Sequence, residues 1–444
     1  SQCDSELLVH LWEDFGEGMF SHLRGQFAFG LLDIPQQRLI LARDRVGICP
    51  LYWSVQGDWI VFGSEVKALI ASGMVPVEAD PSGLDSVFTF FCIPGRRTAF
   101  KHVQSVLPGR YLSIALGNAA RLPGVEEKTY WDFDFPEKGQ EEDATDPNTL
   151  ATALDEKLAR AVRLRLKADV PVAAYLSGGV DSSMVVAKCR QLSNAPLATF
   201  TARMDERRFD ESDLARQYAT SLNCDHHTVD CDRRTLVDSY PRVITAADSP
   251  VVDLNAGSLY TLARAVHDSG FKAVICGEGA DEAFAGYIWF KAHRLIHGIG
   301  WRGLQPLTWA IEKLYHHEYP KAPHGEFRRI RSLLGGLHAQ SLVYHLTSMP
   351  RWRLLHEEFL QAIGNETAYD QLQLDRKRIA RWDPLNQSLY MGYKTQLPGL
   401  LLSHRGDRAA MASSVETRYP FLDEAVVEFA CRLHPRWKLR GLRH

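Results

Sequence analysis

The stretch Leu176-Ser177-Gly178-Gly179-Val180-Asp181-Ser182-Ser183 decides how this chain folds. The apolar run 171–176 before the glycines predicts a strand, and residues 183–188 after them follow a helical pattern. A strand, a tight glycine turn and a helix start together direct bare backbone N–H groups toward an anion. Because Gly178 and Gly179 have no side chains, a phosphate can approach the main chain closely.

Three serines and one acid complete this loop. Ser177, Ser182 and Ser183 add hydroxyl donors. Asp181 would repel a bare polyphosphate, so it predicts a divalent cation between the carboxylate and the phosphates. The alternative is a serine-rich turn that only caps a helix. The chain has no G-x-x-x-x-G-K-[ST] motif, and S-G-G-x-D-S instead resembles the pyrophosphatase loop of enzymes that adenylate a substrate.

A second strand, glycine turn and helix start lie later in the chain. The predicted strand 272–276 runs into Gly277-Glu278-Gly279-Ala280-Asp281-Glu282, and an apolar stretch follows. Glu282 stands where G-x-G-x-x-G has its third glycine, which disfavours a dinucleotide-binding fingerprint. One carboxylate at a helix N-terminus only suits the helix dipole. Three carboxylates at a strand end predict metal coordination and orientation of a reacting group.

The acidic residues of the two loops receive separate roles. We assign Asp181 and Asp281 to Mg²⁺, which typically takes one or two carboxylates together with phosphate oxygens and waters. Glu278 then remains as a catalytic or positioning residue. We expect Glu282 to face away from the site or to cap the helix, with no part in the chemistry.

The segments around both loops alternate between helices and apolar strands. Strands separated by helices predict a doubly wound α/β parallel sheet, in which ligands bind beyond the carboxyl ends of the strands. From residue 291 onward the pattern is helical. The predicted strands are 171–176, 197–202, 226–229 and 272–276, and the predicted helices are 150–167, 210–222, 236–247 and 258–266.

The chain up to about residue 136 has a different, α+β pattern. Its few strands and small helices would leave a large apolar face uncovered, so we expect this domain to be incomplete. The chain opens without an initiator Met and closes in mid-pattern, and we expect the natural protein to extend beyond both ends. The stretch 117–148, rich in Pro and Gly, predicts a solvated linker. The predicted strands are 27–32, 38–42, 51–55, 59–62 and 110–115, and the predicted helices are 6–12, 66–71 and 85–91.

Composition limits the class of protein. The 444 residues are 45% hydrophobic and 24% charged, as in ordinary globular chains. A net charge of −3 argues against a nucleic-acid partner, and no apolar run is long enough to span a membrane. The eight cysteines have no C-x-x-C spacing, which predicts reduced, mostly buried thiols, no structural zinc and a cytoplasmic location.

Several motifs together resemble one family. The stretches 25–30, 42–48 and 63–69 are similar to the later part of a class II glutamine amidotransferase domain, whose fold is of the N-terminal nucleophile (Ntn) type. The two loops, with 209–213 and 414–423, resemble the PP-loop (adenine nucleotide alpha hydrolase) domain of glutamine-dependent asparagine synthetase. The resemblance implies an amidotransferase domain at 1–136, a linker at 137–149 and a synthetase domain at 150–444.

The resemblance also implies site residues. In the amidotransferase domain the nucleophilic cysteine would precede Ser1, Cys3 is no substitute for it, and Asp4 would bind glutamine; the alternative for Asp4 is a helix N-cap. Arg203 departs from the family pattern and puts the neighbouring nucleotide contacts in doubt. The residues implied to bind ATP are Leu176, Ser177, Gly178, Gly179, Asp181, Ser182, Ala202, Cys276 and Gly277.

Two basic residues of the C-terminal part are harder to assign. Arg408 is expected to form a core ion pair rather than a phosphate contact, although both interpretations stay open. Members of the family carry a lysine that neutralises charge during adenylation, just after a segment like 437–440. We do not assign that role to Lys438.

The implied activity is that of asparagine synthetase, with ATP and Mg²⁺ as cofactors and glutamine and a carboxylate, aspartate first, as substrates. One alternative is an amide ligase acting on another carboxylate, including β-lactam and peptide-tailoring types, although Glu278 favours the asparagine type. Another is a nucleotide-binding relative without catalysis, which two intact loops disfavour. A tRNA-modifying enzyme would need a basic face or a sulfur-carrying cysteine site. A homodimer stays open.

Overall fold

The chain forms two compact units in the computed structural model. The first comprises Ser1–Leu84 and Gly95–Asp132, and the second comprises Asp85–Pro94 and Phe133–His444. The domain boundaries expected at residues 136 and 149 remain predictions. The structure describes residues 3–116, 124–143, 146–291, 293, 313, 317–319, 321–322, 326–336 and 338–439.

The first unit contains two antiparallel sheets. Its strands are β1 (Ala28–Asp33), β2 (Arg38–Arg43), β3 (Tyr52–Gln56), β4 (Trp59–Gly63), β5 (Gln104–Ser105), β6 (Arg110–Ala115) and β7 (Val125–Thr129). The larger sheet has the order β1-β2-β6-β7 and the smaller one the order β4-β3-β5. The helices are α1 (Asp4–Phe15) and α2 (Val66–Ala71), with a 3₁₀ turn at Gly16–Ser21. Helix α3 (Pro81–Phe90) begins in this unit, and its residues from Asp85 onward belong to the second unit.

Two sequence expectations for this region are corrected. The stretch expected to be a solvated linker contains β7, which pairs antiparallel with β6 because Glu127 accepts hydrogen bonds from Arg96 and Arg110. Residues 117–123 and 144–145 of that stretch lie outside the described residues. Helix α3 begins four residues before the expected position 85, because Pro81 suits a first helical turn and Asp80 accepts from Ser82 N at 3.1 Å.

A buried aspartate organises the turn after β2. Asp44 is completely buried, and its Oδ1 accepts from the backbone N–H groups of Val46, Gly47 and Ile48 at 3.2, 2.8 and 3.0 Å. Its Oδ2 accepts from Cys49 N at 2.8 Å. Four backbone donors therefore satisfy both oxygens of one carboxylate, and the turn is closed around it.

The second unit is built on a parallel sheet. Its strands are β8 (Val172–Tyr175), β9 (Ala198–Met204), β10 (Asp225–Cys231), β11 (Ala273–Ile275) and β12 (Glu416–Arg418). They run in the order β10-β9-β8-β11-β12, and all four pairings are parallel. The four predicted strands and the parallel sheet are confirmed. Strand β12 was not predicted, because three residues with one buried threonine give no apolar run.

Alternate residues of β8 point to opposite faces of this sheet, as strand geometry requires. Ala174 packs with Leu158 of α4 (Pro147–Arg165) and with Val185 of α5 (Val180–Leu192). Ala173 packs on the other face, in a cluster with residues of α8 (Asn255–Asp268). Both faces of the sheet are covered, as in other parallel sheets. The remaining helices among these strands are α6 (Ser212–Ser221), α7 (Arg233–Ala247) and α9 (Ala280–Phe284).

The rest of the second unit is helical, as predicted. Its described helices are α10 (Glu326–Leu334), α11 (Ala339–Ser348), α12 (Arg351–Leu354), α13 (Glu357–Ile363), α14 (Arg376–Ile379), α15 (Pro384–Lys394), a π-helix (Leu397–Asp407), α16 (Arg408–Met411), α17 (Glu424–Arg432) and α18 (Pro435–Lys438), with 3₁₀ turns at Ala368–Gln371 and Pro420–Leu422.

The segment Asp85–Pro94 belongs to this second unit although it lies early in the chain. The Phe90 ring meets Tyr344 and Tyr369 edge-on, at centroid distances of 5.4 and 4.8 Å. Cys92 Sγ lies 3.5 Å from Thr395 O. Phe90 and Cys92 are both fully buried, so the segment is part of the helical core.

Two expectations from composition can be compared with the structure. All eight cysteines are free, and five of them are buried, which confirms the prediction of mostly buried thiols. Among the described residues, no helix combines the length and hydropathy that a bilayer crossing requires.

Candidate functional site

The two glycine loops lie side by side at the carboxyl edge of the parallel sheet. Strands β8 and β11 are neighbours, with Ala174 opposite Ile275, so the loops that follow them leave the sheet together. A Cβ on Gly277 would lie 2.8 Å from Ser182 N and 2.9 Å from the carbonyl carbon of Asp181. The backbones of the two loops are therefore in contact at this glycine.

Hydrogen bonds from its own serines fix the conformation of the first loop. Ser182 Oγ accepts from Ser177 N at 3.1 Å and lies 3.0 Å from Ser177 Oγ, which in turn accepts from Gly179 N at 3.2 Å. Gly178 takes a left-handed φ of +82°, which favours glycine. Helix α5 has Gly179 as its N-cap residue and therefore no capping side chain, so its first-turn N–H groups point out of the helix. This is a geometry that suits a phosphate.

Asp181 and Asp281 lie near each other at this edge. Burial and the neighbouring Asp281 carboxylate raise the pKa of Asp181 to about 6. Two close carboxylates repel unless a cation lies between them, so the pair fits a divalent ion. The described residues contain no group of three or more His, Cys, Asp or Glu side chains suited to a metal. A Mg²⁺ ion held by this pair would take its other ligands from phosphates and water.

Glu278 lies in the same turn and has a basic neighbour. Burial raises the pKa of Glu278, and Arg405 opposes this shift. Arg405 lies on the π-helix, and its guanidinium donates through Nε and Nη2 to both carboxylate oxygens of Asp253, the second at 3.1 Å. The sequence reasoning missed Arg405 and Asp253. No local pattern identified them, because a π-helix brings them together.

The role expected of Glu282 is wrong in one respect, since this side chain does not cap a helix. It is only 2% exposed, and its Oε1 accepts a hydrogen bond from the hydroxyl of Tyr287. Helix α9 is short and ends at Ala285 in a left-handed conformation, with φ of +60°, and the chain therefore turns back and places Tyr287 over Glu282. Chiefly because of burial, the pKa of Glu282 is raised to about 8.

Three of the residues expected to bind ATP, Leu176, Ala202 and Cys276, lie at the ends of neighbouring strands. The backbone carbonyl of Leu176 accepts from the Thr201 hydroxyl, one residue before Ala202. Cys276 is buried, and its N–H donates to Arg418 O at 3.0 Å. Arg203 pairs with Asp230 at the exposed end of β9. The assignment of these residues to ATP stays a prediction.

Three other singled-out residues lie away from the two loops in sequence. Asp4 is exposed in the first turn of α1, but the N-cap position is held by Cys3, so the cap interpretation of Asp4 is wrong. Arg408 is buried at the start of α16, and its role stays open. Lys438 is buried, with Nζ 2.9 Å from Asn386 Oδ1, and burial lowers its pKa to about 8.

A parallel sheet that carries two touching glycine turns and a carboxylate pair at its carboxyl edge places the second unit in the doubly wound α/β class. The asparagine synthase family model matches residues 153–444, and the glutamine amidotransferase domain model matches residues 1–131. The chain belongs to the asparagine synthase family. The two matches imply an Ntn-type fold for the first region and a PP-loop type for the second.

Curated relatives of two kinds align with nearly the whole chain. Amidase chyE of Penicillium rubens is 34% identical, covering 99% of this chain and 67% of the relative. Amidase chry2 of Gibberella zeae is 33% identical, covering 98% and 67%. Asparagine synthetase [glutamine-hydrolyzing] 1 of Bacillus subtilis is 27% identical, covering 99% and 66%. The chain thus spans about two thirds of the length of these relatives.

Proposed function

We propose that this protein forms an amide from a carboxylic acid, with ATP as the energy source and glutamine as the nitrogen donor. The observation that carries the proposal is the backbone contact between the two loops at Gly277, with Asp181 and Asp281 at the same sheet edge. A phosphate-binding turn and a metal-binding carboxylate pair are what the adenylation of a carboxylate requires.

In the first step, a carboxylate oxygen of the acceptor attacks the α-phosphorus of ATP. The bond between the α-phosphorus and the bridging oxygen breaks, and pyrophosphate leaves. The N–H groups of Ser182 and its neighbours at the α5 N-terminus would hold the phosphates, and Asp181 and Asp281 would hold Mg²⁺. When bound, Mg²⁺ supplies positive charge at the phosphate oxygens.

In the second step, ammonia attacks the carbonyl carbon of the acyl-adenylate. The C–N bond forms, the bond from carbon to the AMP oxygen breaks, and the nitrogen loses one proton. We assign that proton to the Glu278 carboxylate, which burial makes a stronger base than an exposed carboxylate because it raises the pKa. The ammonia comes from glutamine, which the first unit would bind with the help of Asp4.

The acceptor that we propose first is the side-chain carboxylate of aspartate, as in the asparagine synthetase relatives. A second candidate is a carboxylic acid with an apolar body. An acceptor other than aspartate is favoured by the two relatives named amidases, which share more identity with this chain than the Bacillus synthetase does. An apolar body is favoured by the exposed side chains of Val252, Leu254 and Ile288, which adjoin Asp253 and Tyr287 in the chain.

ATP–pyrophosphate exchange tests this proposal, with aspartate and a panel of apolar acids offered one at a time. We expect exchange that depends on Mg²⁺ and on one acid, and product analysis by mass spectrometry then identifies the amide. Exchange should be lost in Asp181→Asn, and undiminished exchange would refute the metal role of Asp181. Binding of ATP without exchange for any acid would favour a non-catalytic relative.

A further inference from the structure

A small polar site lies next to the acidic turn, and the proposed reaction does not use it. Oε2 of Glu282 has no hydrogen-bond partner, and neither has the hydroxyl of Tyr393 on α15. Both side chains are only 2% exposed. A buried polar atom without a partner costs free energy, and native structures usually fill such a position with a ligand or a water.

The two atoms belong to elements that pack together. Helix α9, which carries Glu282, contacts α15, which carries Tyr393. Burial, Cys431 and Glu282 all raise the pKa of the Tyr393 phenol, as expected when an acid lies close to a buried hydroxyl. The two unpartnered oxygens therefore belong to residues of the region where α9 and α15 pack together.

Aromatic rings surround this region. Tyr287, which donates to Glu282 Oε1, stacks on Trp289 with a centroid distance of 4.3 Å. Phe133 stacks on Tyr393 at 3.9 Å and an interplanar angle of 14°. Rings therefore pack beside both residues and help to keep bulk solvent away, and a molecule that satisfied both oxygens would have to be small and able both to donate and to accept hydrogen bonds.

We propose that Glu282 and Tyr393 form a binding site for ammonia beside the acidic turn. The inference rests on the proposed function, because ammonia is the nucleophile of that reaction. Ammonia donates N–H to a carboxyl oxygen, and its lone pair accepts from a phenol hydroxyl, so it matches the two unpartnered atoms. Glu282 follows the proposed base Glu278 by four residues in the same turn and helix start, so the site lies close to where the nucleophile is needed.

Ammonium chloride in place of glutamine tests this site, because the assay then bypasses the amidotransferase region. Amide formation is measured against ammonium chloride concentration at fixed pH, and ATP–pyrophosphate exchange is measured in parallel. In Tyr393→Phe and in Glu282→Gln we expect the KM for ammonia to rise about tenfold, the size of one lost hydrogen bond. Pyrophosphate exchange should change less than about twofold.

A second readout separates a binding role from a packing role. When ammonia is held poorly, the acyl-adenylate hydrolyses, so the ratio of AMP to amide should rise in both variants at low ammonium chloride. Tyr369→Phe is the matched control, because it removes another buried tyrosine hydroxyl of the helical part, one that donates to Ser341 O at 3.4 Å. Its KM for ammonia and its product ratio should not move.

The outcomes distinguish the two proposals. Intact exchange with an unchanged KM for ammonia in Tyr393→Phe and Glu282→Gln overturns the ammonia site and leaves an ordered water there. If none of the acids offered supports ATP–pyrophosphate exchange by the unaltered protein, the proposed function fails. The ammonia site then fails with it. A thermal unfolding curve shows whether either variant is misfolded. If one is, the KM for ammonia of the other variant decides whether the ammonia site exists.

Discussion

Two turns, one in each unit, contain a buried carboxyl group, and the two groups differ in how many hydrogen bonds they accept. In the first unit the Asp44 carboxylate accepts four backbone N–H groups, and the turn up to Cys49 closes around it. In the second unit the Glu282 carboxyl accepts one hydroxyl and keeps an oxygen without a partner. Both side chains are almost completely removed from solvent.

The difference separates a structural acid from an acid at a candidate site. A buried carboxylate whose two oxygens both accept from backbone donors of its own turn stabilises one loop conformation. An acid with an unpartnered oxygen, beside the carboxylates Glu278 and Asp281, retains the capacity to bind a ligand at a cost in stability. Substitutions in the first turn should therefore lower stability, and substitutions in the second turn should lower activity.

The largest effect is expected for the second turn. Asp281→Asn should lower ATP–pyrophosphate exchange by roughly 100-fold or more, because one of the two carboxylates proposed for Mg²⁺ is lost. Its thermal stability should be unchanged or higher, since a repulsion with Asp181 is removed. Asp213→Asn, an exposed acid near the first loop, is the control for the change of charge. Exchange that survives in Asp281→Asn would contradict the assignment.

The next effect concerns the first turn. Asp44→Asn replaces an acceptor with an NH₂ group, which faces at least one backbone N–H donor in either orientation. The free energy of unfolding of the first unit should fall by about 2 kcal/mol. Denaturant titration followed by circular dichroism measures this loss. Equal destabilisation by Asp44→Asn and Asp281→Asn would remove the distinction between the two turns.

A smaller effect is expected where the loops touch. Gly277→Ala adds a methyl group within 3 Å of Ser182 N, so the loops must separate. We expect ATP–pyrophosphate exchange to fall about tenfold, with the loss mainly in the KM for ATP. Gly124→Ala, at an exposed position with an ordinary φ and open space around the added carbon, is a control for the substitution type. A normal KM for ATP would mean that the contact does not shape the phosphate site.

The smallest effect is a pH dependence of stability. Burial raises the pKa of Glu282 from 4.5, the value for an unburied glutamate, to about 8, so between these pH values the folded chain holds a proton that the unfolded chain has lost. Rising pH therefore favours unfolding across this window, by about 1 kcal/mol between pH 6.5 and 7.5. Glu282→Gln should lose this component, which thermal melts in EDTA would detect. If the melting temperatures of the unaltered protein and of Glu282→Gln changed with pH in the same way, the raised pKa of Glu282 would be contradicted.

Local patterns predicted much of the fold and part of the site. The glycine loops and the parallel strands were visible because apolar runs end in Gly and acidic residues, which is a local signal. The adjacency of Asp181 and Asp281 followed from parallel strands that share one edge. The assignment of these two acids to a metal stays a prediction, as do the ATP contacts.

What the sequence did not reveal depends on contacts between distant segments. Asp253 and Arg405 lie far apart in the chain, and a π-helix with a distorted Gly406 presents the arginine. The burial of Glu282 depends on Ala285, where a left-handed turn at a non-glycine residue returns the chain over α9. Strand β12 forms only because β11 offers it a neighbour, since its own three residues have no apolar pattern.

The early segment Asp85–Pro94 has a consequence for synthesis. Phe90 and Cys92 pack against Tyr344, Tyr369 and other residues made much later. At ordinary translation rates this apolar segment waits on the order of ten seconds or more before its partners leave the ribosome. The apolar segment must therefore be protected from aggregation during that interval. A gene fragment that starts at residue 150 would lack Asp85–Pro94 and would encode an incomplete helical core.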